Sequence, residues 1–253
     1  MADRVLVVTG GSRGIGAATA KLAAKELGLG VCVNYMGNKQ AADQVVAHII
    51  AEGGKASAVQ GNVGNPDDIK RIFEHADSMG TVVGLVNNAG KVDMPARVEE
   101  LTPEMLTDMW AVNISGSFLC AREAVNRMST RLGGEGGAIV NLTSAAAKMG
   151  APHFGVHYGA SKGAIDTFTV GLALEVANEG VRVNGVRPGI IDTDLHASGG
   201  DADRVQRISA TIPMPRPGTA DEVAEAIVWL LSDKSSYTTG TVITVSGGRA
   251  IVV

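Results

Sequence analysis

Thr9-Gly10-Gly11-Ser12-Arg13-Gly14-Ile15-Gly16 decides the reading of this chain. A β-branched run, Arg4–Thr9, leads into it, and an alanine-rich run, Ile15–Leu27, leaves it. Glycines between a strand and a helix permit a tight turn and let backbone approach a pyrophosphate. The helix start then offers unpaired N–H groups and a favourable dipole. The glycines fall at 10, 14 and 16, which departs from the strict G-x-G-x-x-G spacing. Gly10-Gly11-Ser12-Arg13-Gly14 also matches the G-x-S-x-G nucleophile elbow, but that elbow normally follows several strands and this turn ends the first. A triphosphate loop needs Gly-Lys-Ser/Thr, whereas Ala17 and Ala18 follow Gly16. The turn is therefore read as a dinucleotide cradle.

Outward from the turn, short apolar runs alternate with long amphipathic ones. Strands are expected at Gly30–Tyr35, Ala56–Gln60, Val82–Asn87, Ala138–Thr143, Val181–Val186 and Thr241–Val245. Helices are expected at Lys39–Glu52, from Pro66, after Thr102-Pro103, at Tyr158–Ala177 and from Ala220. Thr102 suits an N-cap and Pro103 a first turn. Strands separated by helices imply βαβ crossovers, hence an α/β Rossmann-type doubly wound parallel sheet of about seven strands with helices on both faces. No repeat, low-complexity segment or linker divides residues 1–253, so one domain is expected. The irregular stretch Ile190–Pro217 carries Ser198-Gly199-Gly200 and three prolines, and is the candidate substrate lid.

Of the 253 residues, 45% are hydrophobic, enough for a large core, and the net charge is −4. A weakly acidic chain without a basic face argues against nucleic acid as a partner. The apolar runs are too short to span a bilayer and no charged leader precedes the first strand, so a cytoplasmic protein is expected. Cys32 and Cys120 sit in strand-like and helix-like runs and read as buried thiols.

The second strand ends Asn34-Tyr35-Met36 without the carboxylate that would grip an adenosine ribose. An acid there would repel a 2′-phosphate. Its absence, with Arg13 in the turn and Lys39 nearby, favours NADP(H), with NAD(H) still possible. Tyr158 and Lys162 are spaced i,i+4 and share a helix face. A free phenol ionises near pH ~10. A neighbouring ammonium favours phenolate, which makes Tyr158 a usable acid or base near neutral pH. Asn87-Asn88-Ala89-Gly90 and Asn141-Leu142-Thr143-Ser144 each close a strand, where sites in such sheets gather. Ser144 is placed to donate a hydrogen bond to a substrate oxygen, or to cap the next turn.

With these motifs in order, the chain resembles the short-chain dehydrogenase/reductase family over essentially its whole length. Thr9-Gly10-x-x-x-Gly14-x-Gly16, Asn87-Asn88-Ala89-Gly90, Asn113, Ser144, Tyr158-x-x-x-Lys162, and Pro188-Gly189 with Thr193 carry the resemblance. It is most similar to the branch of β-ketoacyl-carrier-protein reductases and glucose-type dehydrogenases. The resemblance implies Tyr158 as acid/base, Lys162 on the nicotinamide ribose, Ser144 orienting the carbonyl and Asn113 in a proton relay. It implies a cofactor lying along Gly10, Ser12, Arg13, Gly14, Ile15, Gly16, Asn34, Asn62, Val63, Asn88, Ala89, Gly90, Tyr158, Lys162, Pro188, Gly189, Ile191 and Thr193. It implies tetramers built through two long helices. Two positions depart from the pattern: Asn62-Val63 replaces the common Asp-Val, and Ser246-Gly247-Gly248 replaces Asp-Gly-Gly.

The substrate is expected against Ser144, Met149, His153, Tyr158 and Ile190. His153 and His157 have zinc-helix spacing, but Phe154 replaces the glutamate of His-Glu-x-x-His and no third ligand follows, so no metal is assigned. The expected activity is an NADP(H)-dependent carbonyl reductase acting on a small carbonyl or secondary alcohol. A sugar or polyol dehydrogenase is the alternative, and a non-catalytic NADP-binding sensor is the alternative of another class. Apolar residues in Ala160–Val176 exceed one stripe, so a homo-oligomer is expected, a tetramer before a dimer.

Overall fold

Short runs rich in valine, isoleucine and leucine pair into one sheet. Its strands are β1 (Arg4–Val8), β2 (Gly30–Tyr35), β3 (Ala56–Gln60), β4 (Thr81–Asn87), β5 (Gly137–Leu142), β6 (Val181–Pro188) and β7 (Val242–Val245). All pairings are parallel, in the order 3-2-1-4-5-6-7. The computed structural model describes residues 3–193 and 204–250. The central part of the expected lid, including Ser198-Gly199-Gly200, lies outside the described residues. Its flanks are joined where Asp192 N–H donates to Gly218 O at 2.9 Å and Gly218 N–H to Ile190 O at 2.9 Å.

The helices are α1 (Gly14–Leu27), α2 (Lys39–Ala51), α3 (Pro66–Met79), α4 (Pro103–Trp110), α5 (Ser117–Met128), α6 (Ala146–Met149), α7 (Val156–Val176), α8 (Arg204–Ser209) and α9 (Ala220–Leu231). Strand side chains alternate between faces, so each face has its own core. Leu6 and Val8 of β1 pack with Ala20 of α1, Val45 of α2 and Ile227 of α9. Val5 and Val7 pack on the other face with Phe73 of α3, Ala124 of α5 and Ala173 of α7. Helix α7 also turns an apolar side outward: Val170 and Leu174 are exposed, and Phe168 stacks on the half-exposed Phe118 of α5 at 3.7 Å.

One expected element differs. The long helix after Thr102 is interrupted by a π-helical turn, Ala111–Gly116, between α4 and α5. Gly116 passes so close to the β3–α3 loop that a Cβ would stand 2.6 Å from Val63 O. The wider turn sets Asn113 fully inside the protein.

Strand order reverses between β1 and β4, which opens a crevice at their C-terminal ends. Buried polar side chains hold these ends in register. Thr9 Oγ1 accepts the N–H groups of Asn88 and Ala89, both at 3.0 Å. Asn88 Nδ2 donates to the carbonyls of Thr9 and Gly10. Asn87 Nδ2 donates to Asn141 Oδ1 at 2.9 Å, and Asn141 Nδ2 donates to Thr169 Oγ1 of α7 at 3.0 Å. Buried amides left unpaired would each be costly, so this ladder fixes β4, β5 and α7 relative to one another.

Candidate active site

The crevice is a cleft of about 1450 Å³ running from the glycine turn past Tyr158 to the segment after β7. At the turn, Gly10 and Gly14 adopt left-handed backbone, with φ of 60° and 52°. A Cβ on Gly10 would stand 3.0 Å from Ala89 Cα, and one on Gly16 would stand 2.4 Å from Gly10 O. Only glycine fits these close approaches. The first turn of α1 faces the cleft through Gly14 and Ile15, so unpaired N–H groups meet whatever lies there. A pyrophosphate fits this bare cradle.

Asn34 occupies the position without an acid. It is buried and serves as a brace: Oδ1 accepts Gly10 N–H at 3.2 Å and Nδ2 donates to Gly61 O at 2.9 Å. Arg13 is exposed at this end and lines the cleft. Lys39 does not join it. An i,i+4 ion pair with Asp43, at 2.6 Å, holds Lys39 on the solvent side of α2, which corrects its expected supporting role. Asn62 and Val63 also line this end, where Asn62 Oδ1 accepts Gly64 N–H at 2.9 Å.

Past the turn, β4, β5 and α7 bring Gly90, Ser144, Tyr158 and Lys162 to one wall. Lys162 is almost completely buried, and its Nζ donates to Leu142 O at 2.8 Å. Burial pushes its ammonium down to about 8, against a smaller opposing pull from Asp166. Its Nζ lies 6.0 Å from the Tyr158 ring centre. A Cβ on Gly90 would stand 3.5 Å from Lys162 Nζ and 3.6 Å from Asn113 Oδ1, so glycine keeps the space between these groups open.

Asn113 is held from both sides. Oδ1 accepts Lys91 N–H at 2.7 Å, and Nδ2 donates to Lys91 O at 3.0 Å and to Ser161 Oγ at 3.1 Å. Ser161 Oγ in turn donates to Tyr158 O at 2.8 Å, which couples the π-helical turn to α7. Ser144 lines the cleft, and its Oγ accepts Ala146 N–H at 3.1 Å, which braces the turn leading into α6.

Met149, His153 and Ile190 line the cleft, as do Pro188, Gly189, Ile191 and Thr193. His153 precedes α7, with φ of 60°, while His157 is buried inside the helix, so the two do not share one helical face. The sequence reading missed Asp93, Met94 and Arg249, which also form walls. Asn88-Ala89-Gly90 could have flagged the residues that follow it. Nothing in the local pattern marks Arg249.

The enoyl-(acyl carrier protein) reductase family model matches residues 10–250. The chain is 51% identical to an uncharacterized oxidoreductase, YgfF, of Escherichia coli (strain K12), over 97% of this chain and 99% of the relative. It is 41% identical to a 3-oxoacyl-[acyl-carrier-protein] reductase of Synechocystis, over 98% and 97%. A short-chain dehydrogenase from Burkholderia cenocepacia, solved in complex with NADP, superposes with a TM-score of 0.89 at 32% identity, covering 98% of each chain. The parallel sheet with its crevice at the β1/β4 reversal, the glycine cradle and these whole-length likenesses carry one conclusion: the chain belongs to the short-chain dehydrogenase/reductase family, nicotinamide-dependent oxidoreductases that interconvert CH–OH and C=O groups.

Proposed function

We propose that the protein is an NADP(H)-dependent carbonyl reductase of the 3-oxoacyl-reductase type, reversible as a secondary-alcohol dehydrogenase. One observation carries the reading: Ser144, Tyr158 and a desolvated Lys162 line the same cleft as the glycine cradle. The cofactor is held by Gly10, Ser12, Arg13, Gly14, Ile15 and Gly16 at its phosphates and by Asn88, Ala89, Gly90, Pro188, Gly189, Ile191 and Thr193 along its length. When bound, it supplies the hydride acceptor or donor. Tyr158 gives its phenolic proton to the carbonyl oxygen during reduction and takes it back during oxidation. Ser144 donates its hydroxyl proton to that same oxygen and fixes its position. Lys162 brings positive charge beside Tyr158 and favours its phenolate. Asn113, clamped to Lys91 and Ser161, holds the inner end of the proton path.

Arg13 is exposed beside a strand end that lacks an acid, which favours the 2′-phosphate of NADP(H). The relative named as a 3-oxoacyl-[acyl-carrier-protein] reductase supports the reductive direction. The outward apolar side of α7 with Phe118 of α5 supports a homo-oligomer, a tetramer before a dimer. Tyr158→Phe keeps the ring and removes the proton. It should lower kcat at least about 100-fold while NADPH binding survives. Near wild-type turnover in this variant would overturn the mechanism.

A further inference from the structure

The charges in the cleft are unevenly satisfied. Five basic side chains and two acidic ones line it among the described residues, in a chain of net charge −4. Both acids, Asp93 and Asp108, are engaged by Lys91, at 3.2 Å and 3.6 Å. Lys162 is committed to Leu142 O beside Tyr158. Arg13 stands at the glycine turn, where the cofactor's phosphates account for it. That leaves Arg249, which lines the opposite end of the cleft with Ile190.

Arg249 is the informative one. It is half-buried, and no acid among the described residues pairs with it. Burial pushes its guanidinium down, so its present surroundings disfavour the charge. Its segment is firmly placed. Ser246 packs where a Cβ on Gly189 would stand 2.7 Å from Ser246 Cα, which seats the segment on the end of β6. Arg249 N–H donates to Ser246 O at 3.1 Å, and Gly247 O accepts Met214 N–H at 3.0 Å. A partly desolvated guanidinium on a firmly placed backbone, with no acid paired to it among the described residues, is completed by an oxyanion, which it can bind through two parallel hydrogen bonds.

We propose that Arg249 anchors an oxyanion of the substrate, a carboxylate or phosphate ester carried by the same molecule whose carbonyl meets Tyr158. The proposal rests on the carbonyl-reductase reading above and narrows it to acidic carbonyl compounds. Neutral ketones and aldehydes would fill the same end without engaging the guanidinium.

Steady-state reduction with NADPH tests this on two matched pairs of probes: acetoacetate against ethyl acetoacetate, and dihydroxyacetone phosphate against dihydroxyacetone. The wild type should favour the charged member of at least one pair in kcat/KM, and which pair shows whether the anion is carboxylate or phosphate. Arg249→Gln should reduce that preference about 10- to 100-fold, mostly through KM, the range expected for losing a charge-assisted hydrogen bond. Equal loss on charged and neutral probes, or no loss, would overturn the proposal. So would an effect confined to the KM of NADPH, because Arg249 would then serve the cofactor. Failure of the wild type to reduce any probe would count against the carbonyl-reductase reading. Acetoacetate and dihydroxyacetone phosphate would then be titrated into the NADP complex by calorimetry. Binding that Arg249→Gln abolishes would uphold the anion site, and absence of binding would sink it.

Discussion

Lys162 should make the stability of this protein depend on pH in a direction opposite to that of an ordinary lysine salt bridge. Burial brings its ammonium from 10.5 down to about 8 in the folded chain. Between those values the unfolded chain binds a proton that the folded chain does not, so stability rises with pH across that window. Below pH about 8 the full cost is present, and above pH about 10.5 it is gone. Two to three pKa units correspond to about 3 kcal/mol at about 1.4 kcal/mol per unit. Lys162→Met fills similar volume without the charge. It also removes the donor to Leu142 O, an offset of about 1–3 kcal/mol that does not change with pH. The quantity to follow is therefore the difference in unfolding free energy between variant and wild type. It should be measured by urea titration without cofactor, at one protein concentration, from pH 7 to pH 10.5. The variant should lose about 3 kcal/mol relative to the wild type over that range. A difference that stays constant with pH would refute the desolvation argument, because the wild-type lysine would then keep its ordinary proton affinity in the fold.

Three further outcomes follow from the geometry. Arg13→Ala should lower kcat/KM for NADPH about 10-fold or more and that for NADH little, and equal use of both cofactors by the wild type would remove the NADP(H) assignment. Gly16→Ala sets a Cβ 2.4 Å from Gly10 O and 2.5 Å from Asn88 Nδ2, so it should cost about 1–3 kcal/mol in thermal or urea unfolding and weaken NADPH in a fluorescence titration. Val170→Asp places a charge on the exposed apolar side of α7, so light scattering should show smaller assemblies of folded chain, whereas a wild type already running as a single chain would refute the oligomer.

The local order of residues determined the class of this protein. Glycines between a strand and a helix have few physical uses, and short β-branched apolar runs alternating with amphipathic ones allow few sheet arrangements. The i,i+4 spacing alone puts Tyr158 and Lys162 on one helix face, because helical pitch is a property of the backbone. The expected bounds of β2 and β3 match the structure, and those of the other strands and of α1, α2 and α7 differ by a residue or two for the ordinary reason that helix and strand ends fray.

The tertiary structure decided what depends on neighbours distant in sequence. Lys162 lost its water because β5 and α7 close over it, and desolvation cannot be read from a side chain's own surroundings in the chain. The π-helical turn at Ala111–Gly116 arises where the α4–α5 helix crosses the β3–α3 loop, a contact that helix propensity does not encode. Lys39 was drawn away by Asp43. Arg249 was brought to the cleft from the far end of the sequence by the pairing of β6 with β7. Periodicity and spacing report what the backbone repeats, whereas a cleft is assembled from the ends of strands that only the sheet order brings together.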